Sequence, residues 1–349
     1  MEILKKLVGK IDGKEILKIQ FINNNNYSVE FYNFGGYFHS ICIPYQNDNS
    51  KTEDVLLGYH DFKSYQSDRA CLNALIGRVG GRIRNGEFFL NNKKFHLDLN
   101  NNSHHIHGGK DGFNSQVWEI SDLIEEEQEM KCKLTYFSKN LEGGYPGNLN
   151  CETIYSLNNN NELTMEFFAQ SDQDTIVNLT NHNYWNFHGH GANYQNVKNH
   201  FVIINSEMIT EVDADYVPTG NMLKIDNTKY DFRNFREIDE SILENSGIDT
   251  CYEINKTKKF KQVAKVYSDI TKMGMVVSTD QPGLVFYTGN MMENEYPGKY
   301  NKKYGYQYGL CMEAQIFPDA INHSNFISPI LLSNETYSSK TVMKLKNDF

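Results

Sequence analysis

Leu163-Thr164-Met165-Glu166-Phe167-Phe168-Ala169 sets an apolar side chain at every second position. That is the period of a strand that buries one face and wets the other. The alternation recurs on both sides of this stretch. Residues 118–124 and 130–137 read as two strands joined by an acidic connection, 125–129. Residues 201–204, 263–267, 275–278 and 284–288 continue the series. Turn dipeptides punctuate it at Asn85-Gly86, Gly143-Gly144, Pro146-Gly147, Pro282-Gly283 and Pro297-Gly298. The asparagine runs at 23–26, 100–102 and 158–161 fit hairpin tips or loops, because Asn tolerates turn geometry. Helical periodicity is almost absent. Many short strands with few short helices predict an all-β chain, folded as a large antiparallel β-sandwich.

With 349 residues the chain exceeds the usual single-domain size, but it contains no Pro- or Ser-rich linker and no fixed-period repeat. One domain spanning 1–349 is therefore expected. Its 22 tyrosines and 21 phenylalanines are ample for a large core and argue against disorder. The net charge of -10, without a clustered basic face, disfavours nucleic acid as a partner and suits a neutral solute. The six cysteines are widely spaced with no C-x-x-C pair, so neither a disulfide framework nor a zinc knuckle is indicated. Lys5, Lys6, Lys10 and Lys14 interrupt the start of the chain before an apolar run forms, and no stretch is long enough to span a bilayer. A cytoplasmic location without membrane attachment is the expectation, as a monomer or weak dimer.

Four segments concentrate polar and small residues around titratable groups. They are Gly77-Arg78-Val79-Gly80-Gly81-Arg82-Ile83, His104-His105-Ile106-His107-Gly108-Gly109, Asn178-Leu179-Thr180-Asn181-His182-Asn183-Tyr184-Trp185-Asn186-Phe187 and Cys311-Met312-Glu313-Ala314-Gln315-Ile316-Phe317-Pro318-Asp319. If the third is extended, Asn178, Thr180, His182, Tyr184 and Asn186 share one face, which suits the floor of a hydrophilic pocket. In the fourth, Leu310, Met312, Ala314 and Ile316 face one way and Glu313 and Gln315 the other. A carboxylate aimed from a rigid strand into a polar cavity is a credible general base.

Each group also has a plainer reading. His182 alone suits a hydrogen-bonded structural histidine, and Glu313 alone a solvated strand residue. Arg78 or Arg82 would serve equally as a surface partner of a carboxylate. The histidines at 104–107 suggest a metal site, but no third or fourth ligand motif accompanies them. Composition and parity thus lead to a sandwich with a polar pocket and stop short of a reaction.

In order and spacing these segments resemble the aldose 1-epimerase (galactose mutarotase) family. Similar elements run along most of the chain. They include Asp54-Val-Leu-Leu-Gly-Tyr59, Asn73 to Gly86 with its arginines, and His107-Gly-Gly109 with Ile106 in place of leucine. Tyr145-Pro-Gly-Asn-Leu149, Val217-Pro-Thr-Gly220, Asp231-Phe-Arg233 and Gly247-Ile-Asp249 add to these. Phe286-Tyr-Thr-Gly-Asn290 and Phe317-Pro-Asp319 complete the set. The resemblance implies the galactose-mutarotase type of β-sandwich, working without cofactor or metal. It implies a free aldose such as galactose or glucose as substrate, interconverted between its α and β anomers. His182 would be the acid that protonates the ring oxygen, and Glu313 the base for the anomeric hydroxyl. Arg82, His107 and Asp249 would bind the sugar, and Trp185 or a tyrosine would offer it an apolar face. Two positions depart from the pattern. Gly81 stands where many members carry asparagine, and Val285 where some carry glutamine.

Three other functions compete. A non-catalytic sugar-binding or sensing protein on this fold needs neither His182 nor Glu313. A hexose-6-phosphate 1-epimerase needs a basic cluster at the pocket rim, for which Arg78, Arg82 and Arg84 are the arginines nearby. A glycoside hydrolase needs two opposed carboxylates, with Asp249 and Glu313 as the pair to consider.

Overall fold

The computed structural model describes residues 1–257, 259–292 and 298–349. Pro297 of the expected Pro297-Gly298 turn lies outside the described residues. Among the described residues every pairing between strands is antiparallel, one isolated bridge, Val79 to Asn178, is parallel, and the two α-helices, Phe62–Tyr65 and Glu240–Glu244, are each about one turn long. Among the described residues, no helix is long and apolar enough to cross a membrane.

Three sheets organise the chain. The first is a five-stranded meander of Glu2–Ile11, Lys14–Ile22, Ser28–Tyr32, Phe38–Tyr45 and Asp48–Asp54. The second has nine strands and holds the stretch that decided the fold, now Glu162–Ser171, between Leu149–Asn158 and Tyr337–Lys346. Leu163, Met165, Phe167 and Ala169 are all buried there, as their alternation requires. The third sheet has five strands in the order Pro218–Lys224, Met208–Val212, Asp249–Glu253, Gly283–Tyr287 and Cys311–Gln315.

One continuous apolar cluster joins them. Phe21, Phe31 and Phe38 come from the first sheet, Leu134, Tyr155 and Met165 from the second, and Leu284, Phe286, Met312 and Ala314 from the third. Burying a side chain of this size contributes about 1.5–3 kcal/mol. The third sheet is therefore held by its apolar face, and its other face is left to line a cavity.

The asparagine runs occupy the tips as expected, and two of them meet. Asn23 Nδ2 donates to Asn158 O and to Asn161 Oδ1, both at 2.9 Å, which ties the tip of one sheet to the tip of another. At Asn85-Gly86 both residues have positive φ (54° and 59°), the geometry that selects Asn and Gly in a tight turn.

Candidate active site

The third sheet positions the site by register. Asp249 pairs with Tyr287, and Tyr287 with Cys311. One row along, Cys251 pairs with Val285, and Val285 with Glu313. Residues two apart share a face, so Asp249, Cys251, Val285, Tyr287 and Glu313 all point to the same side, where they line a cavity of about 830 Å³. Adjacent strands lie about 4.8 Å apart, so Asp249 and Glu313 are separated by two strand widths. The alternation read at 310–316 holds: Leu310, Met312 and Ala314 enter the core, while Glu313 and Gln315 enter the cavity.

The segment 178–186 runs along the outer edge of Cys311–Gln315. It is not the continuous strand expected, since only Thr180–Asn181 is a strand, paired with Leu75–Ile76. His182 and Tyr184 line the cavity as predicted. Asn178 and Thr180 are instead turned to the neighbouring strand. Asn178 Oδ1 accepts from Ile316 N at 2.8 Å, and Thr180 Oγ1 donates to Ala314 O at 3.0 Å. Asn186 Nδ2 donates to Gln195 O and Tyr308 O. Three of the five residues of the polar face thus complete the backbone pairing that an irregular segment lacks. His182 itself is held from both sides, its N–H donating to Ala74 O and its carbonyl accepting from Asn73 N.

His182 Nε2 lies 3.5 Å from Glu313 Oε1, and His182 Nδ1 lies 3.5 Å from Cys311 Sγ. The imidazole stacks on Tyr184 (centroids 4.9 Å apart, 18° between planes) and meets the His107 ring edge-on at 5.1 Å. Glu313 is 2% exposed, and its Oε2 is buried without a hydrogen-bond partner. Burial, reinforced by the charge of Asp249, holds the Glu313 carboxyl well above its ordinary range. Burial first, and then the Arg82 charge, pushes His182 down to about 4. Burial of both groups therefore favours the uncharged pair, with the shared proton on Glu313. The charge-separated form, carboxylate with imidazolium, is the same pair with that proton moved across the 3.5 Å gap.

The other predicted residues converge on the same cavity. Arg82 reaches it with Nε donating to Asn101 Oδ1 at 3.2 Å and the guanidinium 5.6 Å from the Tyr216 ring centroid. His107 has φ 53°, uncommon for a non-glycine residue, and its Nδ1 accepts from Gly81 N at 3.3 Å. That hydrogen bond places the ring proton on Nε2, making it a donor; burial and the neighbouring His182 and Arg82 hold its pKa well below the usual histidine value. Asp249 is raised to about 6 by burial, opposed by the Arg82 charge, so it is a carboxylate at neutral pH.

Several expectations are corrected. Arg78 is neither a surface residue nor a rim cation. It is 2% exposed, with Nε donating to Ser138 Oγ and its other nitrogens to the carbonyls of Pro146, Ser138 and Lys139. Arg84 is held by Asp213 Oδ2 at 2.8 Å and by Pro218 O. Of the three arginines considered for a phosphate, Arg82 lines the cavity, accompanied by Arg69 and Lys110 at its exposed rim. Trp185 is wholly buried in the core, stacked on Phe187, so the apolar faces offered to a sugar are Tyr184, Tyr216 and Tyr287.

The histidine cluster disperses as well. His104 Nδ1 accepts from Asn85 N, and His105 bridges Asp98 O and Tyr145 OH. Only His107 enters the cavity. Among the described residues, the one grouping with donor atoms close enough for a metal ion is His182, Cys311 and Glu313, within 4.8 Å of one another. The ring nitrogens of that histidine face the thiol and the carboxyl, each at 3.5 Å. Cys311 was missed by the sequence reading, although it shares the parity of Glu313 and Gln315.

Comparison with known proteins gives a consistent result. The family model for aldose 1-epimerase matches residues 18–344. Galactose mutarotase of Mus musculus is 31% identical over 334 residues, covering 95% of this chain and 94% of that protein. Aldose 1-epimerase of Streptococcus thermophilus is 30% identical over 340 residues, again covering 95% and 94%. The crystal structure of galactose 1-epimerase from Lactobacillus acidophilus superimposes with a TM-score of 0.84 at 25% identity, covering 100% of this chain and 99% of that one. The chain belongs to the aldose 1-epimerase family.

Proposed function

We propose that this protein is a mutarotase: an isomerase that interconverts the α and β anomers of a free aldohexose such as galactose or glucose. The observation that carries the reading is the 3.5 Å separation of His182 Nε2 and Glu313 Oε1 in a buried, polar cavity. Opening a cyclic hemiacetal takes a proton from the hydroxyl on C1 and gives one to the ring oxygen on the same C1. Two oxygens borne by one carbon need an acid and a base side by side, and this pair is so placed.

In this reading Glu313, as carboxylate, removes the proton of the anomeric hydroxyl while His182, as imidazolium, protonates the ring oxygen and the C1–O5 bond breaks. The pair is then neutral, with its proton on Glu313, which is the form that burial favours. Rotation about C1–C2 presents the other face of the aldehyde, and the transfers run backwards to close the ring. Arg82 and the Nε2–H of His107 donate to sugar oxygens, and the Asp249 carboxylate accepts from hydroxyls. No cofactor takes part in these steps.

The same proposal includes one domain over 1–349, supported by the core cluster that joins Ile19 to Leu345. It also includes a cytoplasmic role in galactose and hexose metabolism, as a monomer or weak dimer. Polarimetry on freshly dissolved α-D-glucose and α-D-galactose tests the activity. The pure protein is expected to accelerate the approach to equilibrium rotation; rates equal to buffer for both sugars would remove the reading.

A further inference from the structure

We infer that the cavity holds the C2 position of its sugar against an apolar wall, so that aldoses lacking the C2 hydroxyl are substrates alongside those that carry it. The inference rests on the mutarotase reading and follows from the strand register. His182 lies on the outer side of Cys311–Gln315, opposite to Gly283–Tyr287. With the ring oxygen at His182 and the anomeric hydroxyl at Glu313, C1 sits above the outermost strand. The rest of the ring then extends inward, over Gly283–Tyr287 and towards Asp249.

The neighbours of Glu313 along its row are Val285 and then Cys251. The ring atom next to C1 on the side away from the ring oxygen is C2, and it falls over Val285, about one strand width from Glu313. Val285 has no hydrogen-bonding group, and a thiol such as Cys251 is a weak one. The Cys251 sulfur leans along the sheet towards Gly283 in the next row of the adjacent strand, 2.8 Å from where a Cβ on Gly283 would stand. Gln315, the polar side chain of the next row, carries its amide oxygen to the other side, 2.5 Å from where a Cβ on Gly80 would stand. Gly80 lies against Asn178, beyond Glu313 and away from Val285. Hydroxyls further round the ring meet a different surface, because Asp249 lies in the row of Tyr287 and Cys311.

A site that hydrogen-bonds a hydroxyl rejects the analogue lacking it by about 10⁴–10⁵-fold, because its own polar groups are left unpaired. An apolar wall leaves nothing unpaired. The test compares kcat/KM for mutarotation of D-galactose and 2-deoxy-D-galactose, each corrected for its spontaneous rate. The two values are expected to agree within about tenfold, and a larger loss with the deoxy sugar overturns the inference. Val285→Gln should widen the preference for D-galactose by tenfold or more, as it supplies a partner for the hydroxyl. An unchanged preference would place C2 away from Val285 and equally overturn it. Acceleration of D-galactose with rejection of the deoxy sugar leaves the mutarotase reading standing, whereas acceleration of neither sugar removes both.

Discussion

His182 Nε2 faces Glu313 Oε1 at 3.5 Å, while the second carboxyl oxygen of Glu313 is buried with no partner of its own. Burial, with the charge of Asp249, holds this carboxyl well above its ordinary range. Groups perturbed in this way concentrate at functional sites.

If the two side chains act as one unit, their losses do not add. His182→Asn is expected to lower kcat by about 10²–10⁴-fold with little change in sugar affinity. Adding Glu313→Gln to it should cost far less than the product of the two single effects. A double-mutant cycle on initial mutarotation rates measures this, and full additivity would separate the two residues into independent roles.

Asp249 predicts opposite effects on activity and stability. Its folded pKa of about 6 lies above the ordinary 3.8, so ionisation opposes folding. The favourable contribution is fully present below pH 3.8 and is lost as pH rises through 6. Asp249→Asn should therefore raise Tm by a few degrees at pH 7.5 and not at pH 3.5, as read by calorimetry. Over the same range kcat/KM of the wild-type protein should fall as pH drops below about 6, and that limb should be missing in the variant.

Gly81 links the arginine segment to His107. Its φ is 78°, and a Cβ there would stand 2.7 Å from Pro318 Cβ and 2.8 Å from Pro318 Cγ. Gly81→Ala is expected to cost about 1–3 kcal/mol in urea unfolding and to lower kcat/KM, since the N–H that sets the His107 tautomer must move. Unchanged stability and activity would show that the loop has room to adjust.

Arg78 should behave as a structural residue. Arg78→Met takes the guanidinium donor from two buried carbonyls and a part-buried one and should destabilise the protein by about 2–4 kcal/mol. Folded variant protein should retain the wild-type KM for galactose. A raised KM without loss of stability would return Arg78 to the sugar.

The regular strands were legible because their parity is strict. Leu163 to Ala169 and Leu310 to Gln315 each sent the expected side chains to the expected face. The stretch around His182 was legible only in part. It lies beside a sheet edge without continuing it, so Asn178 and Thr180 turn to neighbouring backbone where a regular strand would point them into the cavity. Asn101, Tyr216, Arg69 and Lys110 reach the cavity from irregular segments, where no period predicts direction. Arg78 was misplaced because a long cationic side chain is normally exposed, and only the carbonyls converging on it allow its burial.

The most direct test of the acid–base account is polarimetry of freshly dissolved α-D-galactose with wild-type and Glu313→Gln proteins side by side. The account predicts clear acceleration by the wild type, and a variant that still binds galactose but turns over at least a hundredfold more slowly. A folded variant with near-wild-type rate would contradict it.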